Sequence, residues 1–418
     1  MIQSSLLVGF YFFAAVSIYL GILSLRGGIR FVSYLRSESS KPLDEFTPFA
    51  SIFFPLRGLD EGLRENIAAV VSLDYPSYEV IFVSDDENDP AWRVVAETRA
   101  GFSELSVPAI HRVIAGPASN RGQKVHNLSV ATGHAHSSSR VFVFVDSDAR
   151  PQSAWLRSLV APLRDETVGA ATGYRWFVPA RGGFASHLRS VWNAAIASAL
   201  EAEEQKNFCW GGATALRRST FEKCEVLKYW RGTVSDDFAV TRAMREAGLA
   251  IKFVPQCLTP SIEDCSLRSL IEFTTRQLKI TRAYAAHLWK AVLFGSVIFV
   301  ITFFGGVALL VTRAFLQLPV ATPLILLLIL FAMGAMKSHL RLRAVSAFVS
   351  DTRATSSTST LAHLTLWPLA SALYLYNGVA AAFSRRIRWR GITYELKSPN
   401  ETVIIRKQKS EARDQRSG

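Results

Sequence analysis

The first 25 residues contain no Asp, Glu, Lys or Arg, and Arg26 and Arg30 follow at once. A cleavable export signal carries its charge before the apolar run, so this arrangement excludes one and predicts a membrane anchor with the arginine side in the cytosol. Cysteine is scarce: four in 418 residues, at Cys209, Cys224, Cys257 and Cys265. None shows the paired spacing of a zinc module, and four in so long a chain exclude a disulfide scaffold; a reducing compartment fits. Only 19% of residues are charged against 49% hydrophobic, which excludes disorder for most of the chain. Acid is the minority sign, 34 residues against 47 Lys and Arg, for a net charge of +13. Basic excess of this size points to nucleic acid or anionic lipid. No recognition motif or basic stripe accompanies it outside the C-terminal region, which excludes the first.

Apolar windows set the organisation. Residues 1–27 form the anchor, and 42–288, with acids, bases and turn residues interspersed, read as one cytosolic globular domain. Residues 289–337 hold two uncharged windows, 291–312 and 314–336, separated only by Arg313, which predicts a transmembrane hairpin. A third window, 361–384, contains His363, Pro368 and Gly378 and runs into the basic tail 385–418, where ten Lys or Arg stand against four Asp or Glu. Three full crossings after a cytosolic domain would put that tail outside, against the positive-inside bias. The third window is therefore expected to be re-entrant or interfacial rather than spanning, and the tail to lie in the cytosol against anionic lipid.

Within the globular part, runs 50–54, 80–83 and 141–145 are short, rich in β-branched and aromatic residues, and predict buried strands alternating with helices. The fold class is α/β, a doubly wound and mainly parallel sheet, whose ligands bind at the carboxyl ends of the strands. The acids are there. The second run opens into Asp85, Asp86, Glu87 and Asp89, and the third into Asp146-Ser147-Asp148. Two carboxylates flanking one small residue at a strand end suit a hard divalent cation, Mg2+ or Mn2+, that also meets a diphosphate. A third acidic site, Asp236-Asp237, precedes a helical pattern and also has the makings of a helix cap. Gly211 and Gly212 lie just upstream, where a backbone approaches a ligand closely or simply turns.

These segments resemble the membrane-bound GT-A glycosyltransferases, in particular the ceramide glucosyltransferase-like branch that includes enzymes glycosylating hopanoid lipids. The matches are Asp85-Asp86-Glu87-Asn88-Asp89, Gln123-Lys124-Val125-His126-Asn127-Leu128, Asp146-Ser147-Asp148, Asp236-Asp237-Phe238, and Ile387-Arg388-Trp389-Arg390-Gly391-Ile392-Thr393-Tyr394 near the end. The resemblance implies a Rossmann-like nucleotide-sugar domain on transmembrane helices and an inverting transfer of one hexose, from a donor such as UDP-glucose, to a lipid hydroxyl such as that of ceramide or a hopanoid. It implies Asp237 as the base, Asp85, Asp86, Lys124 and Asp146 on the nucleotide sugar, and Asp146 with Asp148 on the metal. The family's closing motif falls on Arg276, Lys279 and Ile280, with Lys in place of Arg and Ile in place of Trp. Arg276 and Lys279 would meet phosphate charge, while Gly211, Gly212, Asp236 and Ile280 would form the acceptor side. Expected partners are the nucleotide-sugar donor, the lipid acceptor and anionic membrane lipids, with no nucleic acid. Two other functions share the pattern: a processive polysaccharide synthase, and an idle membrane scaffold of the same fold.

Overall fold

Runs of β-branched and aromatic residues form strands where the sequence predicts them. In the computed structural model, which describes residues 2–41, 45–102, 108–349 and 351–407, β1 (Ala50–Pro55), β2 (Tyr78–Ser84), β3 (Ala109–Ile114) and β4 (Val141–Phe144) pair in parallel in the order β3-β2-β1-β4. Phe53 stands opposite Ile81 on one side and Phe144 on the other. Every residue of β1, β2 and β4 is buried, as expected of parallel strands covered on both faces. The crossovers carry helices Leu63–Val71, Ala91–Ala100 and Gln123–Ala131. The first buries Leu63, Asn66, Ile67 and Val70, the spacing of one helix face.

Three further strands, β5 (Val168–Val178), β6 (Thr214–Arg217) and β7 (Ala250–Ile262), complete a seven-stranded sheet ordered β3-β2-β1-β4-β6-β5-β7, with β6 antiparallel to β4 and to β5. The fold is thus α/β, a parallel half joined to a mixed half. Its core is aromatic: Phe53 stacks on Phe144 at 5.3 Å, and Phe144 and Phe221 both meet the edge of Trp230. Trp230 is fully buried and donates its indole N–H to the Asp236 carbonyl at 3.2 Å, which ties the core to the third acidic segment.

Residues 385–407 also belong to this unit, which comprises 38–176, 200–262 and the described part of the C-terminal region. What the sequence presents as a basic tail is a three-stranded antiparallel sheet of β8 (Arg386–Trp389), β9 (Ile392–Ser398) and β10 (Glu401–Lys407). Ile387, Ile392, Tyr394 and Leu396 are buried while Arg386 and Arg388 are exposed, the alternation of a one-sided sheet. The remainder of the tail, 408–418, lies outside the described residues.

The second unit groups residues 1–37, 177–199 and 263–384. Three of its helices are long and apolar enough to cross a membrane: residues 5–39, 286–315 and 321–345. The hairpin does not turn at Arg313 as charge alone suggests. The helix Ala286–Phe315 runs through it, and the Arg313 Nε–H donates to the Pro319 carbonyl at 2.9 Å, satisfying a backbone acceptor in the connection. The third window is broken into helices Ser357–Thr365 and Trp367–Phe383, Pro368 sitting in the first turn of the latter. Its polar residues are held by protein: Asn377 Oδ1 accepts from Thr274 and Thr275 at 3.2 and 3.0 Å, and His363 Nε2 lies 3.2 Å from Ser190 Oγ. Helices Phe184–Ala197 and Leu267–Tyr284 group here too, although their composition resembles the globular domain. The physical reason is amphipathicity: Leu270, Phe273 and Leu278 pack in one cluster with Trp192, Ala370 and Tyr374.

Candidate active site

β4 ends at Phe144 and the chain passes through Val145 into Asp146-Ser147-Asp148. The middle residue is pinned: the Ser147 hydroxyl donates to Asp60 Oδ2 at 2.5 Å, and the Asn66 amide donates to the Ser147 carbonyl at 2.9 Å. Lys124 lies in the first turn of the helix Gln123–Ala131, whose preceding Gly122 donates its N–H to the Thr233 carbonyl at 2.8 Å. That bond brings the helix start beside the third acidic segment. Lys124 Nζ is accordingly 2.6 Å from Asp146 Oδ1 and 3.1 Å from Asp236 Oδ1. Gly211 completes this corner, since a Cβ there would lie 2.5 Å from Asp236 Oδ2 and 2.6 Å from Lys124 Nζ. A side chain there would have to push the Lys124 and Asp236 ends out of their pairing.

A second cation closes the other side. Arg175 of β5 places Nη2 3.2 Å from Asp146 Oδ2 and Nη1 3.1 Å from Asp148 Oδ2, with its guanidinium over the Trp210 ring at 5.0 Å. A third, Arg390, holds Asp60 Oδ1 at 2.6 Å. Counting Asp60, Asp146, Asp148, Asp236 and Asp237 against Lys124, Arg175 and Arg390 gives 3 − 5 = −2 for the ionised cluster.

Burial and charge act in opposite senses on these groups. Burial works against the Lys124 ammonium, but Asp146, Asp236 and Asp237 outweigh it and hold its pKa above the ordinary lysine value. Asp146 is buried as well, and Lys124 followed by Arg175 reverses the effect, keeping its pKa below the ordinary range. Asp236 has no such balance: burial, with the neighbouring charges of Asp237 and Asp146, overcomes Lys124 and pushes it up to about 6. Asp60 is raised by burial and by Asp148 despite Arg390.

The remaining residues singled out in the sequence divide. Asp85 is paired with Arg57, and Asp86 is exposed, its Oδ1 accepting the Asn88 N–H at 2.9 Å. Asp89, in the same loop, is structural. It is buried and takes the Gly58 and Ala91 N–H groups and the Ser84 hydroxyl. Asp237 stands in the first turn of the helix Asp236–Glu246, its Oδ1 accepting from the Phe238 N–H at 2.8 Å and from the Ser235 hydroxyl. A Cβ at Gly212 would run into the Trp210 ring. Arg276, Lys279 and Ile280 belong to the other unit, on helix Leu267–Tyr284, where Arg276 lies over Phe273 at 5.4 Å and Ile280 is buried. Sequence reasoning missed Arg57, Asp60 and Arg175. Arg175 leaves one local signal, a single charged residue inside the apolar run of β5.

The donor set suits a hard divalent cation. Asp146 and Asp148 converge on one cationic group, Arg175, so their carboxylates already face a common point of positive charge. Among the described residues no cluster of three His, Cys, Asp or Glu forms an all-protein cage. Mg2+ characteristically binds through one or two carboxylates and completes its shell with water and phosphate oxygens.

Among solved structures the chain is similar to the mannosyltransferase PcManGT from Pyrobaculum calidifontis, crystallised with GDP-Man and Mn2+, at 17% identity and a TM-score of 0.48, covering 89% of this chain and 98% of that one. It is also similar to glucosyl-3-phosphoglycerate synthase from Mycobacterium tuberculosis in complex with Mn2+ and UDP-glucose, at 16% identity and a TM-score of 0.37, covering 61% of this chain and 83% of that one. The sequence profile of Glycosyl transferase family 21 matches residues 9–402, nearly the whole length, and the chain therefore belongs to that family of glycosyltransferases.

Proposed function

We propose that this glycosyltransferase moves a single hexose from a nucleotide diphosphate sugar, UDP-glucose in the simplest case, to the hydroxyl of a membrane lipid such as ceramide or a hopanoid, with inversion at the anomeric carbon. The observation that carries the reading is the convergence of two acidic segments, after β4 and at the start of helix Asp236–Glu246, on the ammonium of Lys124. Asp146 and Asp148 would hold a divalent cation, whose charge would let the donor diphosphate sit beside carboxylates. Lys124 and Arg175 keep the Asp146 carboxylate ionised, and Arg175 orients that of Asp148. Asp237 takes the proton of the acceptor hydroxyl as its oxygen bonds to the anomeric carbon, and the bond to the nucleoside diphosphate breaks. One base with no carboxylate nucleophile favours inversion. Asp86, exposed at the end of β2, serves the nucleoside half of the donor.

The lipid acceptor is supported by the three helices of membrane-spanning length on the same chain and by the family. The same apolar segments and the arginines that flank them support a cytosolic catalytic unit. Membranes carrying the protein, given labelled UDP-glucose, are expected to yield label that partitions into organic solvent. Label recovered as a water-soluble polymer would make the protein a processive synthase, and no transfer from UDP- or GDP-sugars would make it a scaffold.

A further inference from the structure

The turn between β8 and β9 is costlier than a hairpin requires. Trp389 pairs with Ile392, leaving Arg390 and Gly391 as the two turn residues with φ of +49° and +77°. Two-residue turns of this kind are served best by Asn-Gly or Gly-Gly, because a long side chain at positive φ is strained by about 1 kcal/mol or more. Such strain persists where surrounding contacts over-determine it and marks functional positions.

Those contacts are specific. Arg390 Nη2 holds Asp60 Oδ1 at 2.6 Å and its Nη1 donates to the Arg57 carbonyl at 3.3 Å, while Arg57 Nε donates back to the Arg390 carbonyl at 3.0 Å. Arg57 in turn pairs with Asp85, and Asp60 accepts from Ser147, the residue between Asp146 and Asp148. The guanidinium thus clasps the loop that follows β1, and that loop reaches the end of β2 through Arg57 and Asp85 and the end of β4 through Asp60 and Ser147. The rest of the small sheet is anchored beside the other site segments. The Gln123 N–H donates to the Tyr394 hydroxyl at 3.2 Å, one residue before Lys124, and the Asn400 carbonyl lies against Gly232, just before Asp236. Arg390 itself uses two of the five N–H donors of a guanidinium among the described residues, and its side chain is 36% exposed.

The geometry points to Arg390 as a ligand of the donor diphosphate: a guanidinium presented by the C-terminal sheet, kept by Asp60 at the mouth of the acidic cluster and exchanging that carboxylate for phosphate oxygens when the nucleotide binds. The chemistry is apt, because a planar fork of donors meets phosphate as readily as carboxylate. The inference rests on the nucleotide-sugar reading above.

Affinity for UDP, measured with Mg2+ by calorimetry on the purified full chain, separates this role from a structural one. Arg390→Met is expected to raise the Kd for UDP about 10- to 100-fold, the scale of one lost charge-assisted contact, and to leave the Kd for uridine unchanged. Asp60→Asn breaks the same ion pair from the other side but keeps an amide oxygen for the Ser147 hydroxyl, and it is expected to weaken UDP binding clearly less than Arg390→Met does, because the competing carboxylate is gone. Arg390→Lys keeps the charge and is expected to fall between, and it stands in if the Met variant fails to fold. Equal weakening by Asp60→Asn and Arg390→Met would make the pair structural and overturn the inference, as would unchanged UDP affinity in both Arg390 variants. An unmodified protein that binds neither UDP nor GDP would sink the nucleotide-sugar reading itself.

Discussion

Lys124→Met isolates the central charge balance of the site. The ammonium is the shared partner of Asp146 and Asp236, with side chains 16%, 18% and 7% exposed. Removing one member of a buried ion pair costs about 3–5 kcal/mol, because the remaining charge is stranded. In a domain of this size that corresponds to a melting temperature lower by roughly 6–20 °C. The pH dependence follows from Asp236, which is about 6 in the folded protein against 3.8 in an unfolded chain. A carboxyl whose folded pKa is raised gives its full relative stability below the unfolded value and loses it as pH climbs through the folded one, here about 3 kcal/mol. Without the lysine this pKa rises further, so the deficit of the variant grows from pH 6 to 8 and shrinks towards about pH 5, where the acid is protonated. Lys124, held above 10.5, stays charged throughout and contributes no slope. Tryptophan fluorescence melts in detergent with EDTA, at matched scan rates, read both effects. A deficit under about 2 °C at pH 8, or one of equal size at pH 5 and 8, would refute the charge-balance argument.

Asp237→Asn is expected to keep nucleotide affinity while lowering turnover by at least about 100-fold; turnover within a few-fold of the unmodified protein would leave Asp237 a helix cap. Chelation with EDTA is expected to abolish transfer and Mg2+ or Mn2+ to restore it, whereas full activity in chelator would remove the metal from Asp146 and Asp148. Gly211→Ala puts a methyl group 2.6 Å from Lys124 Nζ and is expected to cost both turnover and a few degrees of thermal stability; unchanged melting and rate would show that the corner is roomier than its geometry implies.

The strands and their acidic ends were legible because each is a local pattern: an apolar run such as 141–144 reads the same in sequence and structure, and Asp146 and Asp148 stand where such a run stops. The roles of Arg175 and Arg390 were not, because a paired charge is recognised by its partner, and their partners lie 29 and 330 residues away. In residues 385–407 two local signals compete. Composition draws the eye to the charge, while the alternation of Ile387, Ile392, Tyr394 and Leu396 belongs to a one-sided sheet, which leaves Arg386 and Arg388 exposed. Helix Leu267–Tyr284 shows the same ambiguity, since an amphipathic helix has one pattern whether its apolar face meets a soluble core or other apolar helices.

The catalytic unit is written in instalments. Its sheet is complete once Ile262 has left the ribosome, but Tyr394, which receives the N–H at the start of the Lys124 helix, and Arg390 follow only after residues 263–384 have been made. The nascent chain thus acquires its last site contacts after its apolar helices have been synthesised. A ribosome stalled, or a message truncated, anywhere before codon 390 produces a unit with Asp60 uncompensated.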